Sequence, residues 1–245
     1  MTYHWNWGIF LEQVQSGDET YLVWLAWALL WTIAISLAAW ALALVLGIAA
    51  GTLRTVPSRP VAFLATAYVE VFRNIPILVQ MFLWFFVFPE LLPKSWALWV
   101  KQEMPAKEFV TAALCLGLFT SARVAEQVRA GIESRPRGQR LAALALGLTE
   151  TQVFRYITLP VALRVIIPPL TSEFMNVFKN SSVAFAIGVA ELTFTARQMQ
   201  EESEQGVETL AAVTLLYFLC AFAANRGMAL VERRLRVPGL LGAKA

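Results

Sequence analysis

The residues from Tyr21 to Leu53 form an almost unbroken apolar run, and this run limits what the chain can fold into. About 20 apolar residues in a helix are enough to cross the hydrocarbon core of a bilayer. Of the 245 residues, 58% are hydrophobic and only 15% are charged. This composition is too apolar for a soluble domain, so the sequence predicts an all-α membrane protein that crosses the bilayer several times.

Five apolar segments are predicted to be transmembrane helices, at about residues 21–53, 61–92, 109–130, 161–189 and 210–231. The second segment contains Pro76, where a helix break is expected because proline lacks a backbone N–H and its ring clashes with the preceding turn. The aromatic residues near the N-terminus are typical of a membrane–water boundary. We therefore predict a single transmembrane domain, residues 21–231, between an interfacial segment (1–20) and a tail (232–245).

The basic residues predict how the chain is oriented, because cytoplasmic loops carry an excess of Lys and Arg. Two of the predicted loops, their flanks and the tail contain most of the arginines: Arg54, Arg59, Arg123, Arg129, Arg135, Arg137, Arg140, Arg155, Arg164, Arg233, Arg234 and Arg236. We therefore expect the N-terminus on the periplasmic side. Residues 131–160 and the C-terminus are expected in the cytoplasm.

Within that loop, residues 137–160 predict two short helices with a sharp joint. Ala142 and Ala143 favour helix and allow another surface to approach the backbone closely. Gly147 is expected to end the first helix in the left-handed conformation. Thr149 followed three residues later by glutamine resembles a capping box, which would open a second helix. That helix is expected to stop before Pro160. A helix, a corner and a helix with small residues on one face make a shape suited to docking.

The same stretch resembles the EAA loop of the membrane subunits of type I ATP-binding-cassette (ABC) importers of bacteria. The resemblance rests on small residues, a glycine and an Ile-x-Leu-Pro tail at fixed spacing: Ala142, Ala143, Gly147, Ile157, Leu159 and Pro160. In that family the loop supplies the coupling helix, which sits in a groove of a cytoplasmic ATPase. The glutamate that opens the family motif is Leu141 here. Any ion pair that this glutamate makes with the ATPase is therefore missing, or its place is taken by a contact from Gln139 or Arg140.

The second span resembles the polar amino-acid branch of these permeases, which includes importers of histidine, glutamine and glutamate. The matching signature residues are Glu70, Arg73, Asn74, Pro76 and Gln80. Glu70 and Arg73 are three residues apart, so they could also simply pair on one helix face, and both interpretations stay open.

Further segments resemble the glutamate/aspartate permeases of this branch: residues 5–10, 53–57, 89–93, 114–120 and 231–239. This resemblance implies import of acidic amino acids across a bacterial inner membrane. None of these segments physically encodes selectivity for glutamate. Glutamine, basic amino acids and other polar amino acids therefore remain open as substrates.

The fourth span is the most polar of the five. Glu173, Asn176 and Asn180 share one helix face, because they are spaced by three and then by four residues. Ionisable groups inside a membrane normally face protein or a watery cavity, so we predict that this face lines a substrate path. The neighbouring polar residues Lys179, Ser181 and Ser182 complete the candidate set. The same groups could instead hold neighbouring helices together.

A dicarboxylate substrate would favour a nearby cation, and Lys179, Arg197 and Arg226 are the candidates for it. His4 is the only histidine and the two cysteines are far apart, so the sequence predicts neither a metal site nor a catalytic triad. It contains no Walker A motif either, so this chain cannot hydrolyse ATP alone.

The family resemblance implies that energy and solute capture come from partner chains. ATP and Mg²⁺ would bind to a cytoplasmic ABC ATPase dimer, with no cofactor held by this chain. A periplasmic amino-acid-binding protein would deliver the solute. The membrane unit would be a dimer in membrane lipid, formed with a second copy or with a homologous chain. No patch of interleaved basic and aromatic residues suggests nucleic acid as a partner.

Two other classes of membrane protein would have different sequence features. An ion-coupled secondary transporter is expected to show inverted repeats and paired broken helices with ion-binding groups. A membrane enzyme is expected to gather charged residues around a nucleophile, a metal or an acid/base pair. The sequence shows no convincing repeat and no such set, and both alternatives would leave the docking loop unexplained.

Overall fold

The computed structural model describes residues 4–15, 17–134 and 137–235. In these ranges the regular structure is helical, apart from one isolated β-bridge between Gln13 and Thr20. The α-helices in the described ranges are α1 (Tyr21–Leu53), α2 (Arg59–Asn74), α3 (Ile77–Phe82), α4 (Lys94–Leu98), α5 (Lys107–Glu133), α6 (Arg137–Ala145), α7 (Glu150–Val153), α8 (Leu159–Asn180), α9 (Leu192–Ser203) and α10 (Gly206–Leu235). The predictions that concerned Arg135, Arg236 and the last residues of the tail fall outside these ranges.

Helices α1, α5 and α10 are each long and apolar enough to cross a membrane unaided. Two further crossings are bent. Helix α2 meets the segment Ile77–Leu91 at 104°, and the segment Glu150–Ala162 meets Arg164–Ile187 at 46°. Counting each bent pair as one span, the described chain crosses up to five times. The predicted break at Pro76 is confirmed, since α2 ends at Asn74 and α3 begins at Ile77.

Helices α1 and α5 lie side by side and run parallel, because position 47 lies beside position 124 and position 51 lies beside position 125. A Cβ atom on Gly47 would lie 2.6 Å from Val124, and one on Gly51 would lie 2.5 Å from the Ala125 carbonyl oxygen. Only glycine permits so close an approach of the two backbones. The largest buried apolar cluster joins α1, α5 and α8.

The two ends of the bundle differ. At one end, Ile9 and Val14 of the N-terminal segment are buried against α9 and α10, and the Asn6 N–H donates to Glu208 Oε1 at 2.8 Å. At the other end, the last turns of α1, α2 and α5 approach one another, and α6 and α7 follow. The first turns of α8 lie at this end too, because a Cβ atom on Gly131 of α5 would lie 2.3 Å from Ile166.

The prediction that the helix after Thr149 stops before Pro160 is wrong. A π-helical turn, Phe154–Thr158, joins α7 to α8, and Pro160 lies in the first turn of α8. Proline is tolerated there, because a residue at the start of a helix has no partner within the helix for its N–H. The loop therefore runs into α8 through continuous helical backbone.

Candidate functional site: the docking loop and the polar face of α8

The docking loop, residues 137–160, turns sharply at the end of α6. The Leu148 N–H donates to the Ala143 carbonyl at 3.2 Å, and the Gly147 N–H donates to the Leu144 carbonyl at 2.9 Å. These two bonds form a Schellman motif, in which the residue after the helix adopts the left-handed conformation. Gly147 has φ +85°, so the predicted left-handed joint is confirmed.

Helix α7 begins with the predicted capping box, which is also confirmed. The Thr149 hydroxyl accepts the Gln152 N–H at 3.3 Å, and the Gln152 side chain accepts the Thr149 N–H at 2.8 Å. An ion pair between Arg140 of α6 and Glu150 of α7 bridges the corner, with Nε 3.1 Å from Oε2. Within this chain, Arg140 therefore already has an acidic partner.

The docking loop exposes several large apolar side chains beside its charged ones. Leu146 is 81% exposed, Tyr156 64% and Leu141 59%, whereas Ala143 is buried. Ala142 and Gln139 are exposed on the same short helix as Leu141. A large exposed apolar patch on a monomer marks an interaction surface. Because Leu141 replaces the glutamate of the family motif, this surface gains an apolar group where a charge would stand.

The tail of the motif has a different position. Ile157, Leu159 and Pro160 are partly buried at the junction with α8. Beside them, the Thr158 hydroxyl donates to the Val153 carbonyl at 3.2 Å, across the π-helical turn. These residues therefore anchor the loop to the bundle, and the residues of α6 present its surface.

The polar face of α8 contains one buried carboxylate. Glu173 is 8% exposed. The Asn176 side chain is within hydrogen-bonding reach of it, and Arg123 of α5 lies close enough for its charge to act on it. Among the described residues, Glu173 Oε2 and Arg123 Nε are buried without a hydrogen-bond partner. Arg123, which the sequence analysis used only to predict orientation, thus lies near the predicted polar face of α8.

Lys179 lies on a different face of α8, as its spacing from Glu173 predicts. With Met175 it lines a cavity of about 430 Å³ between α8 and α10, together with Tyr217 and Asn225. Lys179 is exposed. An ammonium group in a membrane helix is costly unless it faces a watery space, a charge or another protein.

The other predicted polar residues of this region are not gathered with Glu173. The Ser181 hydroxyl donates to the Phe178 carbonyl at 2.7 Å and that of Ser182 to the Lys179 carbonyl at 2.8 Å, so both bond back to the last turn of α8 from the 3-10 turn that follows it. Asn180 is partly buried at the transition to a 3-10 turn. Of the candidate cations, Arg197 pairs with Glu201 in α9, and Arg226 lies over the ring of Phe222 in α10.

The signature of the second span forms a structured bend. Gln80 is 3% exposed, and its side-chain amide donates to the Phe72 and Ile75 carbonyls, each at 2.8 Å. It therefore satisfies carbonyl groups that the break at Pro76 leaves without helical partners.

The interpretation that Glu70 and Arg73 simply pair with each other on one helix face is wrong. Asn74, four residues on, donates to Glu70 Oε2 at 2.7 Å. Arg73 instead turns towards Glu126 of α5, with Nη1 3.8 Å from Oε2. Arg73 therefore pairs with the carboxylate of Glu126 on α5 instead of that of Glu70 on its own helix, α2.

Long apolar helices, bent crossings, a charged intramembrane face and an exposed docking loop define a polytopic membrane transport component. Residues 43–237 match the family described as the inner membrane component of binding-protein-dependent transport systems, and the chain belongs to this family. The family confirms the predicted fold class, the importer-type permease architecture.

Similar proteins support the same architecture. The chain is 49% identical over the full length of both chains to the glutamate/aspartate import permease GltJ of Escherichia coli, in strains K12 and O6:H1. It is 34% identical to the glutamate/aspartate import permease GltK of strain O6:H1, over 78% of this chain and 86% of GltK. A crystal structure of an amino acid ABC transporter with histidines matches 87% of this chain and 95% of its own, with TM-score 0.74 and 28% identity.

Proposed function

We propose that this chain is the membrane permease subunit of an ATP-driven importer of glutamate and aspartate. The observation that carries the proposal is the 49% identity to a glutamate/aspartate import permease along the entire length of both chains. In this proposal ATP and Mg²⁺ bind to a separate cytoplasmic ATPase dimer. A periplasmic binding protein delivers the amino acid to the membrane unit.

The apolar surface of α6 is the part of the chain that meets the ATPase. Leu141 of α6 and Leu146 just after its end are strongly exposed, and Gly147 and the Arg140–Glu150 pair hold this helix at a fixed angle. Burying such apolar side chains in a groove is favourable by roughly 25 cal/mol per Å² of apolar area. An apolar Leu141 therefore replaces electrostatic docking at this position with hydrophobic docking.

The arginine-rich end of the bundle faces the cytoplasm in this proposal, and the N-terminal segment with α9 faces the periplasm. Arg54, Arg73, Arg129 and the docking loop all lie at the same end. Cytoplasmic enrichment of basic residues supports this orientation. It also places the docking loop in the compartment that contains ATP.

In this proposal two polar sites line the substrate path: Glu173 with Arg123, and Lys179. An acidic amino acid carries one ammonium and two carboxylates, so it needs more cationic than anionic partners. Glu173 supplies an acceptor for the ammonium, and Arg123 beside it supplies a cation. Lys179, exposed in the cavity between α8 and α10, supplies a second cation. Burial of unpaired polar atoms costs free energy, which a polar ligand between them would reduce.

The partner in the membrane is a homologous permease chain. Two different permeases of Escherichia coli O6:H1, GltJ and GltK, are both named as glutamate/aspartate import permeases, and both are similar to this chain. A dimer of this chain with itself is the other outcome. Co-purification of the chain carrying two different affinity tags distinguishes the two, because a heterodimer carries only one tag per complex.

The test is ATP hydrolysis by the complete complex, reconstituted with its ATPase, partner permease and binding protein. We expect glutamate and aspartate to stimulate hydrolysis, and glutamine, arginine and histidine to leave it near the basal rate. Stimulation by one of the latter three would keep the importer and overturn the substrate. Absence of ligand-dependent hydrolysis, with uptake abolished by collapsing the proton gradient, would point to an ion-coupled carrier.

A further inference from the structure

A single carboxylate, Glu126 of α5, joins three helices at the end of the bundle that carries the docking loop. One of its oxygens lies 2.6 Å from Arg54 Nη1 of α1 and 3.8 Å from Arg73 Nη1 of α2. The other lies 2.5 Å from Arg129 Nη2 of α5. Arg129 also contacts Glu133, at 2.5 Å. No other carboxylate in the described residues is within ion-pair distance of three arginines.

Contact between these helices does not require the Glu126 cluster. Gly47 and Gly51 already bring α1 into close contact with α5. The Tyr68 and Ser121 hydroxyls, 2.6 Å apart, join α2 to α5. The Glu126 side chain is 28% exposed and that of Arg54 only 9%, so this is a partly buried, hydrogen-bonded pair between two helices and not a surface pair. The particular effect of Glu126 is therefore to fix the rotation and height of α5 relative to two other helices.

This part of α5 also carries the docking loop. Glu126 lies about two helical turns before Glu133, where α5 ends. The other end of the loop is attached to the same stretch, because Gly131 packs directly against Ile166 of α8. A displacement of the loop therefore moves the last turns of α5, and Arg54 and Arg73 connect those turns to α1 and α2.

We propose that Glu126 is a positioning residue that transmits movement of the docking loop to α1 and α2. This inference rests on the proposed function, since it assigns a route between the ATPase and the membrane helices. Charged hydrogen bonds with short, fixed geometry resist rotation and sliding of the helices they join. Their loss leaves the helices packed but allows α5 to move without α1 and α2.

The experiment compares Glu126→Gln with Glu133→Gln in the reconstituted complex. Both changes remove one carboxylate charge from α5, but the ion pair of Glu133 among the described residues is with Arg129 of its own helix, whereas Glu126 pairs with arginines of other segments. The measurements are the amount of assembled complex, the basal ATPase rate and the amino acid imported per ATP hydrolysed. We expect Glu126→Gln to keep assembly and basal hydrolysis but to lower import per ATP by about fivefold or more. Glu133→Gln should leave import per ATP nearly unchanged.

Two further variants, Glu126→Asp and Arg54→Gln, test whether the charge is needed and provide a substitute if Glu126→Gln does not assemble. Glu126→Asp retains the charge and should restore most of the import per ATP. Arg54→Gln severs only the connection to α1, and it replaces Glu126→Gln in the comparison if that variant does not assemble. Unchanged import per ATP in an assembled Glu126→Gln complex would overturn the inference, as would an equal loss in Glu133→Gln. If the wild-type complex shows no ligand-stimulated hydrolysis, the proposed function itself has failed.

Discussion

Gly147 shows how one residue sets the geometry of the docking loop. Its φ of +85° is open to glycine, whereas residues with a Cβ atom pay about 1–2 kcal/mol in the left-handed region. A Cβ atom there would meet nothing within 4 Å, so the cost of substitution comes from the backbone and not from crowding. A larger side chain at position 147 would therefore fit in the available space, but it would strain the backbone.

We therefore predict that Gly147→Asp uncouples transport. The change strains the joint and places a charge next to the exposed Leu146, so ATP-driven uptake should fall severalfold at an unchanged level of inserted protein. Gly138→Asp is the matched control, because Gly138 lies in α6 of the same loop, with open space around it and without a positive φ. Normal uptake in the Gly147→Asp protein would remove the coupling role from this joint.

Glu173 provides a second test at the scale of one residue. If it lines the substrate path, Glu173→Ala should lower uptake more than it lowers the amount of assembled complex. Glu173→Gln replaces the carboxylate by a neutral amide of nearly the same size, which tests whether the charge itself is needed. Ser182→Ala is the control, since the hydrogen bond of that hydroxyl is local, to the Lys179 carbonyl three residues earlier. Loss of the complex from the membrane in Glu173→Ala would show that the group holds helices together.

At the scale of the elements, the packing of α1 on α5 depends on glycine. We predict that Gly51→Val destabilises the complex by about 1–3 kcal/mol, the usual cost of overpacking a tight contact. The reason is that a Cβ atom at this position would lie 2.5 Å from the Ala125 carbonyl oxygen and 2.7 Å from Val128. Thermal unfolding of the purified complex in detergent measures the effect.

Gly227→Val serves as the control for this substitution. Gly227 lies within α10, and a Cβ atom there would meet nothing within 4 Å. The same change of side chain should therefore leave the unfolding temperature nearly unchanged. Equal destabilisation by both substitutions would mean that the loss of glycine itself, and not the close approach of α1 and α5, decides stability.

The elements also show which features a sequence can predict. The break at Pro76, the joint at Gly147 and the capping box at Thr149 depend on residues that are neighbours in the chain, and the structure confirms all three. The stop before Pro160 failed because the chain inserts a π-helical turn, which no spacing rule signals.

Pairings between helices were not predictable in this way. Arg54 and Glu126 are 72 residues apart, and nothing in the spacing of one sequence connects them. The same holds for Arg123 and Glu173, which come near enough for their charges to interact only because α5 packs on α8. Arg73 could be paired by spacing with Glu70, but the position of α5 offers it a different carboxylate. Charged residues in membrane helices thus indicate that a partner exists, and the packing decides which one.

At the scale of the whole molecule, the two ends of the helix bundle differ in their residues and are expected to face different compartments. The arginine cluster around Glu126 and the apolar docking loop share one end, while the N-terminal segment and α9 share the other. The proposed coupling needs the first end in the cytoplasm. Orientation in the membrane is therefore a condition for the function, and it can be measured independently of any partner chain.

We predict that a membrane-impermeant thiol reagent added to intact spheroplasts labels Leu11→Cys but not Leu146→Cys. Both positions are strongly exposed, at 74% and 81%, and lie at opposite ends of the bundle. The native thiols of Cys115 and Cys220 are buried, so they should react little. Inverted membrane vesicles should give the reverse pattern, which controls for the reactivity of each position. Labelling of Leu146→Cys from outside would place the docking loop away from ATP and exclude the proposed coupling.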